Sequence, residues 1–261
     1  MFEPRVALAS LSGEADAAWA TQAAEHAGAA FLGGIALDGP TREAARLLVE
    51  RDRTEFLPAD PVSFVDEQLS ALEDVPIRAG FNVRTTTLGP LRDAAAVCAD
   101  HEAILEINAH CRQDEMCATG AGQLLLADPD RLCEQVRAAA GAGATVSVKL
   151  RTEVSGVDLS EVAAAAEDAG ADVIHVDAMD SESVVGDVVE ATRAFVIANN
   201  GVRDERSVRE YLDYGADAVS VGRPSDDPAV VARVEAATTA YLERTESSGR
   251  PARSQKQEGH S

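Results

Sequence analysis

The sequence has few cysteines, few aromatic residues and no long apolar run. Its four cysteines among 261 residues form no CxxC pair. In a reducing compartment such cysteines do not build a disulfide framework, so each is interpreted singly. No apolar run approaches the roughly 18 residues that a membrane-spanning helix needs. The first ten residues, MFEPRVALAS, show no basic segment followed by an apolar one. We therefore expect a soluble, cytoplasmic protein without a secretory signal.

Lysine is also nearly absent. Only Lys149 and Lys256 are lysines among the 23 basic residues, and 45 acidic residues bring the formal net charge to −22. Such a balance resembles adaptation to high salt, where an acidic surface keeps a protein in solution. Concentrated salt screens contacts to phosphate, so this charge does not exclude a nucleic-acid partner.

Four segments share one local pattern, in which a helix ends at a glycine and a strand follows. They read HAGAAFLGG, GAGATVSVKL, DAGADVIHVD and DYGADAVSVG. Glycine closes a helix in the left-handed conformation, and the β-branched run after it suits a buried strand. Four further strands are predicted at residues 5–9, 77–83, 103–107 and 195–198. The sequence therefore predicts eight strands.

Helical patterns rich in alanine separate these strands, for example over residues 159–169, 206–214 and 228–244. Eight alternations of strand and helix predict an α/β fold of the (β/α)₈ TIM-barrel type, with a doubly wound sheet as the alternative. We expect one barrel domain over residues 1–245. The polar sequence of residues 246–261 predicts a disordered tail.

Polar residues follow the predicted strands, at the end of the barrel where active sites lie. They include Ser10, Asn82, Asn108, Cys111, Lys149, Arg151 and Asp177. Strands 7 and 8 are followed by Asn200-Gly201 and Gly222-Arg223. Loops at these two places often bind phosphate, because glycine lets backbone amides approach the anion and arginine adds a forked cation.

Lys149 is the most informative single residue. Where arginine replaces almost every lysine, a retained lysine indicates a need for a compact ammonium that a planar guanidinium cannot supply.

The segment INAHCRQDEMCATGAGQLLL, residues 107–126, resembles the signature of the dihydrouridine synthase family. The positions that match it are Asn108, Cys111, Gly120, Gly122, Leu125 and Leu126. VSVKLR resembles the Lys-x-Arg strand of that family at Lys149 and Arg151, and LASLSGEAD resembles its opening strand and turn. VIANNGV and AVSVGR resemble its Asn-Gly and Gly-Arg turns. The resemblance spans residues 6–223.

This resemblance implies an FMN-dependent enzyme that reduces the 5,6 double bond of uridine in tRNA, with NADPH or NADH reducing the flavin. Cys111 would then protonate the base, and Lys149 would balance negative charge on the flavin. The other residues implied in FMN binding are Ser10, Asn82, Asn108, Asp177, Asn200, Gly201, Gly222 and Arg223. Asn108 and Arg151 would contact the substrate.

Several positions depart from the family pattern. His110 and Arg112 stand where it has Gly and Pro around the cysteine, Ser10 begins a pair that replaces Pro-Met, and Asp177 lies near an expected His. We also expect the usual C-terminal helical domain, which helps to hold tRNA, to be missing. Bound tRNA would then contact arginines on the barrel rim, namely Arg84, Arg112, Arg151 and Arg203.

Three other functions stay open. One is a flavin oxidoreductase for a small dihydropyrimidine-like molecule. Another is a flavin-free barrel that binds a sugar phosphate, with Asp177 and Lys149 as acid and base. The third, a metal site at His110, Cys111 and Cys117, lacks a fourth ligand and matches no zinc pattern. Cys98 and Cys133 lie on helical stretches and are expected to be buried.

Overall fold

The computed structural model describes residues 1–247, and its eight parallel strands close into a barrel. The strands are β1 Val6–Leu8, β2 Ala29–Ala36, β3 Arg78–Arg84, β4 Ile104–Asn108, β5 Thr145–Arg151, β6 Val173–Asp177, β7 Phe195–Asn199 and β8 Ala218–Val221. Strand β1 pairs with both β2 and β8, so the sheet has no free edge. This closure confirms the (β/α)₈ barrel and excludes the doubly wound sheet.

Within residues 1–247, ten α-helices lie between and after the strands, with two of them between β2 and β3 and two between β4 and β5. They are α1 Ala17–Gln22, α2 Gly39–Glu50, α3 Pro61–Ser70, α4 Leu88–Asp100, α5 Asp114–Ala118, α6 Pro129–Ala140, α7 Leu159–Asp168, α8 Val184–Ala191, α9 Glu205–Asp213 and α10 Pro228–Ser247. Short 3₁₀ helices lie at Gly122–Ala127 and Arg223–Asp226. Within residues 1–247 no helix is long and apolar enough to cross a membrane. The predicted tail begins inside α10, and its residues 248–261 lie outside the described residues.

Aspartate begins six of these helices. The N-cap residues Asp16, Asp38, Asp60, Asp128, Asp158 and Asp204 each accept a hydrogen bond from a backbone amide in the first turn. Each such cap satisfies an amide that has no partner inside the helix and stabilises the helix by about 0.5–2 kcal/mol. Part of the acidic excess therefore defines the helix boundaries.

Glycine closes the helix before three of the four strands as predicted. Gly143, Gly170 and Gly215 adopt φ values of +93°, +111° and +92°. Gly28 differs, because its φ lies outside the left-handed region and a Cβ there would lie 2.1 Å from the Pro4 carbonyl oxygen. This glycine is needed for close packing rather than for a left-handed turn.

The barrel interior changes from apolar to polar along the strands. Alternate residues of a strand face the same side, so β4 presents Ile104, Glu106 and Asn108 in order, and β6 presents Val173 and then His175. The apolar end is a buried cluster of Phe2, Ala7, Ala29, Phe31, Ile104, Val173, Ile197 and Ala218. The polar side chains lie toward the C-terminal ends of the strands, directly below the barrel mouth.

Candidate active site at the barrel mouth

A cavity of about 440 Å³ opens at the C-terminal ends of the strands. Its volume falls in the range of small-molecule and cofactor sites. Ten of the predicted site residues line it: Ser10, Asn108, Cys111, Lys149, Arg151, Asp177, Asn200, Gly201, Gly222 and Arg223. Asn82 does not line the cavity, because it is fully buried and both ends of its amide bond to neighbouring side chains.

The cavity is rich in cations although the chain is strongly acidic. Its basic lining residues are Arg53, Arg84, Arg112, Lys149, Arg151 and Arg223, and its acidic ones are Glu55 and Asp177. The cavity lining thus contains six of the 23 basic residues but only two of the 45 acidic ones. This reversal of the overall charge gives the mouth an electrostatic character that suits an anionic ligand.

Asn108 organises the turn that carries Cys111. Its Oδ1 accepts hydrogen bonds from the backbone amides of Cys111 at 3.0 Å and His110 at 3.3 Å. Its Nδ2 donates to Asn82 Oδ1 at 2.8 Å, and Asn82 Nδ2 donates to Glu106 Oε1 at 2.8 Å. The turn after β4 is therefore attached to the buried polar layer below the cavity.

Glu106 and His175 form a fully buried pair in that layer, with 2.7 Å between Oε2 and Nδ1. Burial raises the pKa of Glu106, but His175, Lys149 and Asn82 outweigh it and lower this pKa to about 2. Burial also lowers the pKa of His175. Sequence reasoning missed both residues, although each is a polar residue at an interior position of an otherwise apolar strand.

Lys149 lines the cavity while only 1% of its surface is exposed. It lies in register with Asn108 on one side and His175 on the other. Among the described residues its ammonium makes no hydrogen bond or ion pair. The buried Glu106 carboxylate attracts this ammonium, and its three donors, which no side chain in the described part of the chain accepts, suit a ligand that brings negative charge to the cavity floor.

Cys111 lies beside a buried ion pair. Arg84 is 2% exposed and pairs with Glu55, which the segment between α2 and α3 supplies. Burial lowers the pKa of Arg84, but the Glu55 carboxylate, together with the Cys111 sulfur nearby, more than offsets this and raises it. Arg84 therefore belongs to the wall around Cys111.

The predicted arginine rim is thus wrong at two positions. Arg84 is buried, and Arg151 is 6% exposed and donates to the Thr152 carbonyl at 3.1 Å and to Gln123 at 3.2 Å. Arg112 and Arg203 are exposed as expected.

The second cysteine of residues 107–126 lies on a short helix. Cys117 belongs to α5, and its thiol donates to the Cys111 carbonyl at 3.5 Å. Gly122 has φ +65°, and a Cβ there would lie 2.3 Å from the same carbonyl oxygen. The glycine of the signature therefore allows the chain to pack against Cys111.

His110 also lines the cavity, and its Nδ1 is buried without a hydrogen-bond partner. Burial, with the charge of Lys149 nearby, holds its pKa well below the usual value, so the ring is neutral at pH 7. Among residues 1–247 no three His, Cys, Asp or Glu side chains form a group that could hold a metal ion.

The turns after β7 and β8 complete the cavity. Asn200 and Gly201 adopt φ values of +96° and +66°, and Tyr211 donates to the Asn200 carbonyl at 2.8 Å. Asn200 Nδ2 in turn donates to Asp177 Oδ1 at 2.8 Å. The space that a Cβ would occupy is open at Gly201 and at Gly222, so a ligand can approach both backbones closely.

Residues 83–260 match the family model for dihydrouridine synthase. The chain belongs to the dihydrouridine synthase family. An uncharacterized protein of Methanocaldococcus jannaschii is 26% identical over 235 residues, covering 85% of this chain and 89% of that protein. A probable tRNA-dihydrouridine synthase of Rhodobacter capsulatus is 32% identical over 149 residues. That match covers 51% of this chain but only 46% of the Rhodobacter protein.

Solved structures resemble this dihydrouridine synthase family member in fold. FabK from Thermotoga maritima aligns with a TM-score of 0.56 and 17% identity, over 85% of this chain and 58% of FabK. A variant of NCR from Zymomonas mobilis aligns with a TM-score of 0.61 and 13% identity, over 95% and 87% of the two chains. At such identities the likeness shows the fold alone. Membership of the family indicates an oxidoreductase that uses flavin and acts on uridine.

Proposed function

We propose that this protein reduces the 5,6 double bond of a uridine in RNA, with FMN as cofactor and NADPH or NADH as reductant. The observation that carries the proposal is the cation-rich cavity at the barrel mouth. It brings Cys111 and Lys149 together with the two glycine turns after β7 and β8.

The cavity residues fit FMN in two respects. Gly201 and Gly222 leave open space beside backbone that can receive a phosphate, and the exposed Arg223 follows directly. At the cavity floor, the ammonium of Lys149 suits the electron-rich edge of a flavin ring. Ser10 and Asp177 line the same cavity and would complete the cofactor contacts. Asn82 would act indirectly, by holding Asn108.

Each side chain has a defined task in this proposal. Bound FMN supplies the hydride for C6 of the base. Cys111 donates the proton to C5 from a turn that Asn108 holds in place. Arg151 is held by Gln123 and faces the cavity, where it can bind a polar edge of the base. Arg53 and Arg112 line the mouth and are exposed, so they are placed for phosphates flanking the target uridine.

A second candidate is the same flavin chemistry on a small dihydropyrimidine-like molecule. One observation favours it. His110 lines the cavity next to Cys111, where the family pattern has a glycine, so the side chain takes up space that a larger substrate would need.

Two experiments test the proposal. Protein purified in molar salt should show flavin absorption bands or acquire them when titrated with FMN, and a colourless protein that fails to bind FMN would reject it. Digested RNA from a strain lacking the gene should then lack dihydrouridine at one position. An unchanged modification map with a flavin-loaded protein would point to the small-molecule substrate.

A further inference from the structure

A chain of buried polar side chains crosses the barrel below the cavity. It runs from Ser220 on β8 through His175, Glu106 and Asn82 to Asn108 on β4, with contacts of 2.7–2.8 Å. Each of the five side chains is at most 4% exposed. Asn108 Oδ1 then accepts hydrogen bonds from the backbone amides of the turn that carries Cys111.

The hydrogen bonds of this chain converge on Glu106, which accepts from both sides. An ionised carboxylate only accepts hydrogen bonds. Glu106 accepts three, from Asn82 Nδ2 at 2.8 Å, His175 Nδ1 at 2.7 Å and Ser147 Oγ at 3.2 Å. Its pKa, lowered to about 2, agrees with ionisation at all ordinary pH values.

The acceptor role of Glu106 fixes the orientation of both asparagine side-chain amides. Asn82 directs its NH₂ group to Glu106, so its oxygen faces Asn108. Asn108 must therefore donate a hydrogen bond to that oxygen from its own NH₂ group. The oxygen of Asn108 is then left for the amides of His110 and Cys111. Reversal of either side-chain amide would bring two donors or two acceptors face to face in a buried site, which is costly.

We propose that Glu106 and His175 are positioning residues for Cys111, acting through the fixed amides of Asn82 and Asn108. The importance of this role for turnover rests on the proposed function, in which Cys111 is the proton donor. The positioning itself does not depend on flavin or uridine.

At the other end of the chain, the hydrogen bonds determine which ring nitrogen of His175 carries the proton. Since Glu106 accepts, His175 Nδ1 carries a proton. The buried ring is neutral at pH 7, so its Nε2 accepts from the Ser220 hydroxyl at 2.8 Å. Ser220 lies two residues before Gly222, and the chain therefore links the proposed phosphate turn to the proposed proton donor.

The first test uses the wild-type protein and ¹⁵N NMR of the histidine rings. His175, assigned by comparison with His175→Asn, should show a protonated Nδ1 at pH 7. A ring with a bare Nδ1 and a protonated Nε2 would require a protonated Glu106 and would overturn the proposal.

The second test compares Glu106→Met with Glu106→Gln. Methionine fills the space without hydrogen bonds, whereas glutamine can still accept from Asn82 with its oxygen while its NH₂ group donates to His175. Hydrogen exchange of the Cys111 amide should accelerate about tenfold or more in Glu106→Met and stay within about threefold of wild type in Glu106→Gln. Thr238→Val is the matched control, because it removes a buried hydroxyl on α10, outside the chain.

Alkylation by iodoacetamide, followed at each cysteine by mass spectrometry, gives a second readout. The rate at Cys111 should change in Glu106→Met, while Cys133 on α6, whose thiol bonds to the Ala165 carbonyl, keeps its wild-type rate. Wild-type behaviour of Cys111 in a folded Glu106→Met protein would reject the positioning role. Equal damage from methionine and glutamine would reject it too, because it would indicate a general structural effect. If Glu106→Met fails to fold, the NMR measurement of His175 in the wild-type protein still tests the proposal.

Discussion

The two ends of the barrel interior differ in chemistry, although the same eight strands build both. The N-terminal end is filled by apolar side chains such as Phe31 and Ile104. Two residues further along β4 the interior holds Glu106, and the cavity above it contains Lys149. Apolar packing at one end supplies stability through burial. At the other end, buried polar groups that depend on one another fix the positions of side chains around a ligand. Five predictions test this division, starting with the largest expected effect.

Ile104→Ala should affect stability and not the site. Removing these buried methyl groups leaves a cavity and should lower the free energy of unfolding by about 2–5 kcal/mol. Urea unfolding gives this value, and FMN titration in the folded baseline should give the wild-type dissociation constant. A large loss of FMN affinity would show that the two ends are not independent.

Acid should weaken the polar layer specifically. The pKa of Glu106 is about 2 in the folded protein and near 4.5 when unfolded, so its stabilising contribution is present above pH 4.5 and is lost as pH falls toward 2. This contribution is on the order of 3 kcal/mol. Glu106→Gln should therefore flatten the unfolding free energy between pH 4.5 and 2. The cost of Ile104→Ala should stay constant over that range, and a parallel decline in both variants would contradict the assignment.

Cys111→Ala should slow the reaction of the reduced flavin with uridine without lowering the free energy of unfolding. We expect FMN binding and flavin reduction by NADPH to persist, while oxidation of the flavin by uridine slows by about 10²-fold or more. Stopped-flow absorbance separates these half-reactions. Cys117→Ala is the control and should react as the wild type does. If the two variants are equally fast with uridine, the cysteine acid has been lost in this protein.

Lys149→Arg tests the need for a compact ammonium at the cavity floor. The guanidinium keeps the charge but projects further into the cavity, so we expect an unchanged unfolding midpoint and a roughly tenfold slower flavin reduction. Wild-type rates in both half-reactions would remove the explanation for this retained lysine.

Arg223→Ala should have the smallest effect. Arg223 is exposed, so the loss of one cation near the phosphate should weaken FMN binding only about fivefold. Arg209→Ala, an exposed arginine on α9 paired with Asp213, serves as the control in the same fluorescence titration. Equal affinities for the two variants would place the phosphate elsewhere.

The sequence was sufficient to predict the strands and most cavity residues, because both depend on local patterns. A β-branched run after a glycine predicts a strand, and strand order places the following residues at one end of a barrel. The helix that carries Cys117 was missed because five residues are too few to show a helical period.

The contacts beneath and around the cavity could not be predicted, because their partners are distant in the sequence. Glu106 and His175 are 69 residues apart in the sequence, and they come into contact only when the barrel closes in one particular strand register. Arg84 looked exposed because a long cation at a strand end normally reaches solvent. The segment after α2 places Glu55 over it instead.

The cation-rich mouth on an acidic molecule has a kinetic consequence. A polyanion that approaches from the sides or from the closed end of the barrel is repelled before contact, so only encounters aimed at the mouth succeed. The Debye length falls from about 10 Å at 0.1 M salt to about 3 Å at 1 M. Concentrated salt therefore suppresses the distant repulsion more than the short-range attraction inside the cavity. For this protein we expect the association rate of an anionic substrate to rise with ionic strength, the reverse of ordinary electrostatic steering.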